Sequence, residues 1–113
     1  MNWYKYSQSY NTEEVSLEWL TRHKIPIEGD KYVLYHGSPK SNNITELRSQ
    51  SLLAEDQKDA LFFAARDRGL QPEDIVVYKV LVKPSDINVG VFASLNRNYK
   101  LWTGINKHKL QIP

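Results

Sequence analysis

Cysteine is absent from the 113-residue chain. Its absence excludes disulfide frameworks, thiol nucleophiles and cysteine-ligated zinc or iron–sulfur sites, and it fits a cytoplasmic protein. The five glycines stand apart from one another, so neither a Gly-x-Gly-x-x-Gly turn nor a Walker loop can be written anywhere, and the common mononucleotide folds are set aside. The three histidines, His23, His36 and His108, are scattered. With no His-Glu-x-x-His pair and no Asp-rich calcium loop, no metal site is expected. No apolar run approaches the roughly 18 residues that span a bilayer. The opening Met-Asn-Trp-Tyr-Lys-Tyr is aromatic and polar rather than basic and then apolar, which speaks against secretion and membrane insertion.

Acidic residues also run out. Asp86 is the last of them, and beyond it the charged side chains are Arg97, Lys100, Lys107 and Lys109, with His108 among them. Such a stretch reads either as a solvated basic edge that keeps a sheet soluble or as a phosphate-facing surface. The formal net charge of +2 is too small to predict nucleic-acid binding by itself.

What is present describes an ordinary globular protein, with 41% hydrophobic and 25% charged residues. The length suits one hydrophobic core and not two, so residues 1–113 are read as one domain with an aromatic segment and a helix in residues 1–24. Asn11 as cap and Glu14 three residues on form a capping-box pattern, and Val15, Trp19 and Leu20 follow at helical spacing as an apolar face. After Ile25-Pro26 and the turn signal Glu28-Gly29-Asp30, the β-formers Lys31-Tyr32-Val33-Leu34-Tyr35 predict a strand that ends in a tight turn at His36-Gly37-Ser38-Pro39. Ile44 and Leu47 have the spacing of one or two helical turns. A second full helix is predicted from the cap Asp56, with Ala60, Phe63 and Ala64 facing the core and a stop before Gly69. The eight residues 75–82 carry a single charge, Lys79, and predict a central strand buried on both faces, closed by Lys83-Pro84-Ser85-Asp86. Shorter strands are expected around residues 89–92, 99–102 and 109–112. Helix, strand, helix and then mostly strands is an α+β order rather than an alternating α/β one.

The residues with the clearest chemical content are His36, Gly37 and Ser38. An imidazole at the end of an apolar strand sits at the boundary between core and solvent, and the glycine beside it lets a ligand approach the backbone. The other reading is a turn histidine satisfied by neighbouring backbone groups.

Leu34-Tyr35-His36-Gly37-Ser38, then Ser51-Leu52-Leu53-Ala54, then Ala60-Leu61-Phe62-Phe63-Ala64 resembles the ADP-ribosyltransferase-like superfamily. This group includes the diphtheria-toxin and poly(ADP-ribose)-polymerase type enzymes and the RNA 2'-phosphotransferases. The resemblance spans residues 32–82. It implies a small split antiparallel sheet, with two or three helices, around a cleft that binds NAD as substrate. It also implies that His36, the catalytic candidate, bonds a ribose hydroxyl, that Gly37 holds the nicotinamide amide through its backbone, and that Tyr35 and Ser38 support the pocket.

In the family the reaction is cleavage of the glycosidic bond to nicotinamide. Its oxocarbenium-like transition state gains from a nearby carboxylate and from aromatic stacking on the departing ring. Two positions depart from the family pattern. Leu52 stands where the family often has the stacking tyrosine, and no acidic residue after Asp86 can supply the late glutamate. Phe62, Phe63 or Tyr99 could replace the stacking surface, and Glu55 or Glu73 could supply a carboxylate.

Three functions follow from the resemblance. The first is transfer of ADP-ribose from NAD to a protein or nucleic-acid target. The second is a catalytically inactive module of the same fold that binds a nucleotide or a protein partner. The third is RNA 2'-phosphotransferase-like activity, with Arg97, Lys100 and His108 as phosphate contacts. Trp3, Tyr4, Tyr6 and Tyr10 cluster near the start, either over the domain's own sheet or as an interface. The opening residues also resemble the start of small phage and bacterial proteins, some of which carry such domains, and this suits a phage protein acting on a host target.

Overall fold

The structure is a computed structural model that describes residues 12–47, 51–88, 102–104 and 110–113. It is an α+β arrangement of two helices and seven strands in two antiparallel sheets among the described residues.

The first helix, α1, spans Thr12–Arg22. The predicted cap Asn11 lies outside the described residues. Glu13 and Glu14 occupy the first turn and Arg22 the last, an arrangement that complements the helix dipole. Leu20 is fully buried, and Trp19 is half-buried against the core. Ser16, on the same buried side, donates its hydroxyl to the Ile87 carbonyl at 2.9 Å and thereby satisfies an otherwise buried polar group. Lys24 ends the helix with a left-handed φ of 56°, and the Ile25 N–H closes back on the Leu20 carbonyl.

The four-stranded sheet has the order β1-β2-β4-β7, with β1 at Ile27–Glu28, β2 at Lys31–Pro39, β4 at Ile75–Val82 and β7 at Leu110–Gln111. The three-stranded sheet has the order β3-β6-β5, with β3 at Ser51–Leu53, β5 at Ile87–Asn88 and β6 at Trp102–Gly104. Among the described residues an isolated pairing joins the sheets, where Tyr35 exchanges both backbone hydrogen bonds with Ala54 at 2.9 and 2.7 Å.

Three sequence expectations are corrected here. First, β2 does not end at His36. It runs on to Pro39, because β4 pairs with it along its whole length, from Tyr32 opposite Val82 to Pro39 opposite Ile75. The chain turns only at the short 3-10 helix Lys40–Asn42, where Asn43 takes a left-handed φ of 45°. Second, Ile44 and Leu47 belong to no helix. Leu47 is buried in the core from an irregular segment. Third, β4 is a central strand with the predicted bounds, but Val76 to Lys79 are only half-buried rather than sealed on both faces.

The expected strand at residues 89–92 lies outside the described residues. The other two late strands are present with shifted bounds. The hairpin strand β1 and the short β3 carry too few residues to show a periodic pattern and were not anticipated.

Side-chain alternation on β2 divides the domain. Leu34 faces a core built with Leu20, Ile25, Leu47, Leu53, Val80, Val82 and Ile87, so α1 and the three-stranded sheet cover that face. The opposite face meets the second helix, α2, at Gln57–Arg68. Asp56 caps α2 by accepting the Asp59 N–H at 2.8 Å. Gly69 ends it at φ 64°, with its N–H and that of Leu70 closing on the carbonyls of Ala65 and Arg66. Ala60 and Ala65 are its buried residues. Phe63, predicted to face the core, is only half-buried.

α2 lies unusually close to β2 at Gly37. A Cβ there would strike the Ala60 carbonyl oxygen and come within 2.8 Å of the Ala64 Cβ. The glycine is therefore demanded first by helix-on-strand packing.

Candidate functional site

Beyond the Tyr35–Ala54 pairing, β3 diverges from β2 and leaves the edge of β2 open. A cleft of about 620 Å³ occupies the gap, within the usual size of small-molecule sites. Its walls combine Tyr35, His36, Gly37 and Ser38 of β2 with Leu52 and Ala54 on the β3 side. Ala60, Ala64, Asp67 and Arg68 of α2 and Glu46, from the irregular segment after the 3-10 helix, also reach it.

The backbone at this edge has a definite polarity. Tyr35 directs its N–H and C=O toward Ala54 and away from β4. Alternation along an antiparallel strand turns the N–H and C=O of Gly37 the same way. No partner for either is found among the described residues. One donor and one acceptor, side by side on a single residue, thus line the cleft.

His36 projects from the other face of β2. Its Nδ1 lies 2.7 Å from the Leu52 carbonyl oxygen. A carbonyl can only accept, so Nδ1 carries the proton, and the neutral ring presents Nε2 as an acceptor. Burial lowers the imidazole pKa below its ordinary value and the charge of Arg68 adds to this, against the opposing effect of the Leu52 hydrogen bond. The favoured form is therefore the neutral ring. Ser38, two residues on, is buried in the same wall.

The structure brings together five of the seven residues expected at a nucleotide site: Tyr35, His36, Gly37, Ser38 and Leu52. Leu52 stays 42% exposed on the cleft rim. Phe62 and Phe63 are not among them. They line a separate, shallower hollow of about 230 Å³ with Asp59 and Arg66, where the Arg66 guanidinium lies 5.0 Å from the Phe63 ring centre. The helical repeat explains the separation. With Ala60 and Ala64 held against Gly37, Phe62 falls on the opposite side of α2 and Phe63 on its flank, about 80° from the midline of that contact.

Glu55 is not in the cleft either. Its Oε2 approaches the His23 Nδ1 at 3.2 Å but without hydrogen-bond geometry, so the oxygen is buried with no hydrogen-bond partner among the described residues. Burial, with Asp56 and then Asp59 adding to it, raises the Glu55 carboxyl to a pKa of about 7. His23, stacked on Trp19 at 4.8 Å, is held below its ordinary value by burial and then by Arg22. Glu73 is exposed in the 3-10 turn Pro72–Asp74. Arg97, Lys100, His108, Tyr99 and the aromatic cluster of residues 3–10 lie outside the described residues.

Sequence reasoning missed the carboxylates that do line the cleft, Glu46 and Asp67, and the guanidinium beside them, Arg68. For the last two a signal existed. Continuing the Ala60–Ala64 spacing by one helical turn arrives at residues 67 and 68. Glu46 gives none, because the spacing of Ile44 and Leu47 predicts helical turns around it. No group of three or more metal-ligating side chains gathers among the described residues, and no helix among them is long and apolar enough to cross a membrane. No family model, curated protein or solved structure matches the chain.

Proposed function

We propose that this chain is an ADP-ribosyltransferase-like protein whose cleft takes NAD as substrate and transfers ADP-ribose to a protein or nucleic-acid acceptor. The observation that carries the reading is the open edge of β2. The free N–H and C=O of Gly37 there complement a primary carboxamide, which offers one acceptor and one donor in the same plane. Next to them the Nε2 of neutral His36 is suited to accept a bond from a ribose hydroxyl. A nicotinamide riboside unit carries both groups in sequence.

In this reading His36 and Gly37 orient the nicotinamide ribose across the edge of the strand. The bond from the anomeric carbon to the ring nitrogen breaks, and its electron pair neutralises the pyridinium. The acceptor's nucleophile adds to the anomeric carbon and releases its proton to solvent or to a carboxylate. Glu46 and Asp67 are the carboxylates available on the wall, where negative charge favours the oxocarbenium-like state.

Calorimetric titration of NAD and ADP-ribose into the protein and into His36→Ala tests the site. Binding by the first and at least tenfold weaker binding by the second is expected, and silence from the intact protein with both ligands ends the proposal. Leu52 in the stacking position favours a second reading, a non-catalytic module of the same fold. Release of nicotinamide from labelled NAD in a cell lysate decides for the enzyme. Ligand binding without that release decides for the module.

A further inference from the structure

We infer that Arg68 is the anion contact of the cleft and receives the phosphate next to the nicotinamide ribose of the bound nucleotide. This rests on the reading of the cleft just given, though on different atoms.

Arg68 sits two turns along α2 from Ala60, on the face that packs against Gly37, and that placement carries it to the cleft wall. A basic residue in a last helical turn is often occupied with the terminal carbonyls. Here the carbonyls of Ala65 and Arg66 already accept from the backbone N–H groups of Gly69 and Leu70. The guanidinium has no ion pair, hydrogen bond or ring contact among the described residues. The other described arginines differ. Arg22 pairs with Glu18 beside the Trp19 ring, and Arg66 covers Phe63. Arg68 is therefore a planar, five-donor cation facing open space, the geometry that takes a phosphate in a two-pronged grip. Its charge is felt at His36, in keeping with the two sharing one cavity.

The surroundings narrow the ligand further. Glu46 and Asp67 line the same wall, so a uniform polyanion such as an RNA strand would bring phosphates against carboxylates. A pyridine nucleotide carries a cationic ring and a phosphate on opposite sides of one ribose. It presents both signs to a wall that has both.

The test compares nicotinamide riboside with nicotinamide mononucleotide, which differ by one phosphate, on the full chain and on Arg68→Ala, Arg68→Gln and Arg66→Ala. For the intact chain and Arg66→Ala the phosphate should tighten binding by about tenfold or more. For Arg68→Ala and the near-isosteric Arg68→Gln the two ligands should bind alike, with the riboside affinity the same in all four proteins. If the phosphate helps the Arg68 variants as much as the intact chain, or helps neither, the inference is overturned while NAD binding stands. If the intact chain binds neither mononucleotide nor NAD nor ADP-ribose, both fall.

Discussion

The Nδ1 of His36 and the carbonyl oxygen of Leu52, 2.7 Å apart, tie the tautomer of a cleft residue to the backbone of the opposing strand. The bond holds the proton on Nδ1 and leaves Nε2 to accept. With the folded pKa below 6.5, affinity for ADP-ribose should be level above pH 6.5 and decline only as the pH falls through the folded value, when Nε2 gains a proton and ceases to accept. An imidazole titration followed by NMR, alongside calorimetry at each pH, checks this. A midpoint above 6.5, or affinity that improves on protonation, contradicts it.

Gly37→Ala should destabilise the domain by about 3 kcal/mol, the scale of overpacking against atoms that cannot move aside. The atoms met are the Ala60 carbonyl oxygen, which is helix backbone, and the Ala64 Cβ. Ala64→Gly in the same background should recover only part of the loss, because the carbonyl contact remains. Urea melts of the parent and the two variants measure it, and full recovery would assign the clash to Ala64 alone.

Glu55 predicts a pH-dependent stability difference. Its folded pKa of about 7 lies above the ordinary 4.5, so its contribution is fully present below pH 4.5 and lost as the pH rises through 7. His23 works in the opposite direction, since its lowered value gives a contribution present above 6.5 and lost as the pH falls through the folded value. Comparing Glu55→Gln with the parent isolates the carboxyl. The melting temperature of the variant relative to the parent should rise between pH 4.5 and pH 8. A variant that instead loses ground toward pH 8 would show that attraction to His23 outweighs burial.

Ser16→Ala should cost about 2 kcal/mol, because it leaves the Ile87 carbonyl without its buried donor. The site lies away from the cleft, so ADP-ribose affinity at 15 °C should not change. A thermal melt and one titration suffice, and a matched loss of affinity would mean that α1 governs the cleft.

The legible parts of this fold were those with strong local signals. Asp56 and Gly69 bracket α2 as read, because a carboxylate cap and a left-handed glycine act within one turn. The run Ile75–Val82 was recovered to the residue, because its β-branched composition ends at Pro84. His36 could be singled out as a polar side chain in an apolar strand. Its partner Leu52 could not be inferred from polarity, since the accepting group is a carbonyl that every residue has. Gly37 was read as a place for a ligand, and its backbone lines the cleft. The space where its side chain would be belongs to α2, a tertiary contact 23 residues or more away in sequence. Phe62 and Phe63 lie outside the cleft lining, and composition does not give the rotation of a helix about its axis. The small residues Ala60 and Ala64 do.

Two hydrogen bonds between Tyr35 and Ala54 are the only backbone link between β2 and β3 among the described residues. Geometrically they form the vertex of a wedge whose arms are the two sheets. At a vertex, a small change in twist becomes a larger displacement farther out, so the gap between Gly37 and Leu52 depends on the dihedral angles of this pair together with the His36–Leu52 hydrogen bond that crosses it. A substitution at Ala54 that bends this pair would alter the spacing of the whole mouth without touching one atom of its lining beyond Ala54 itself.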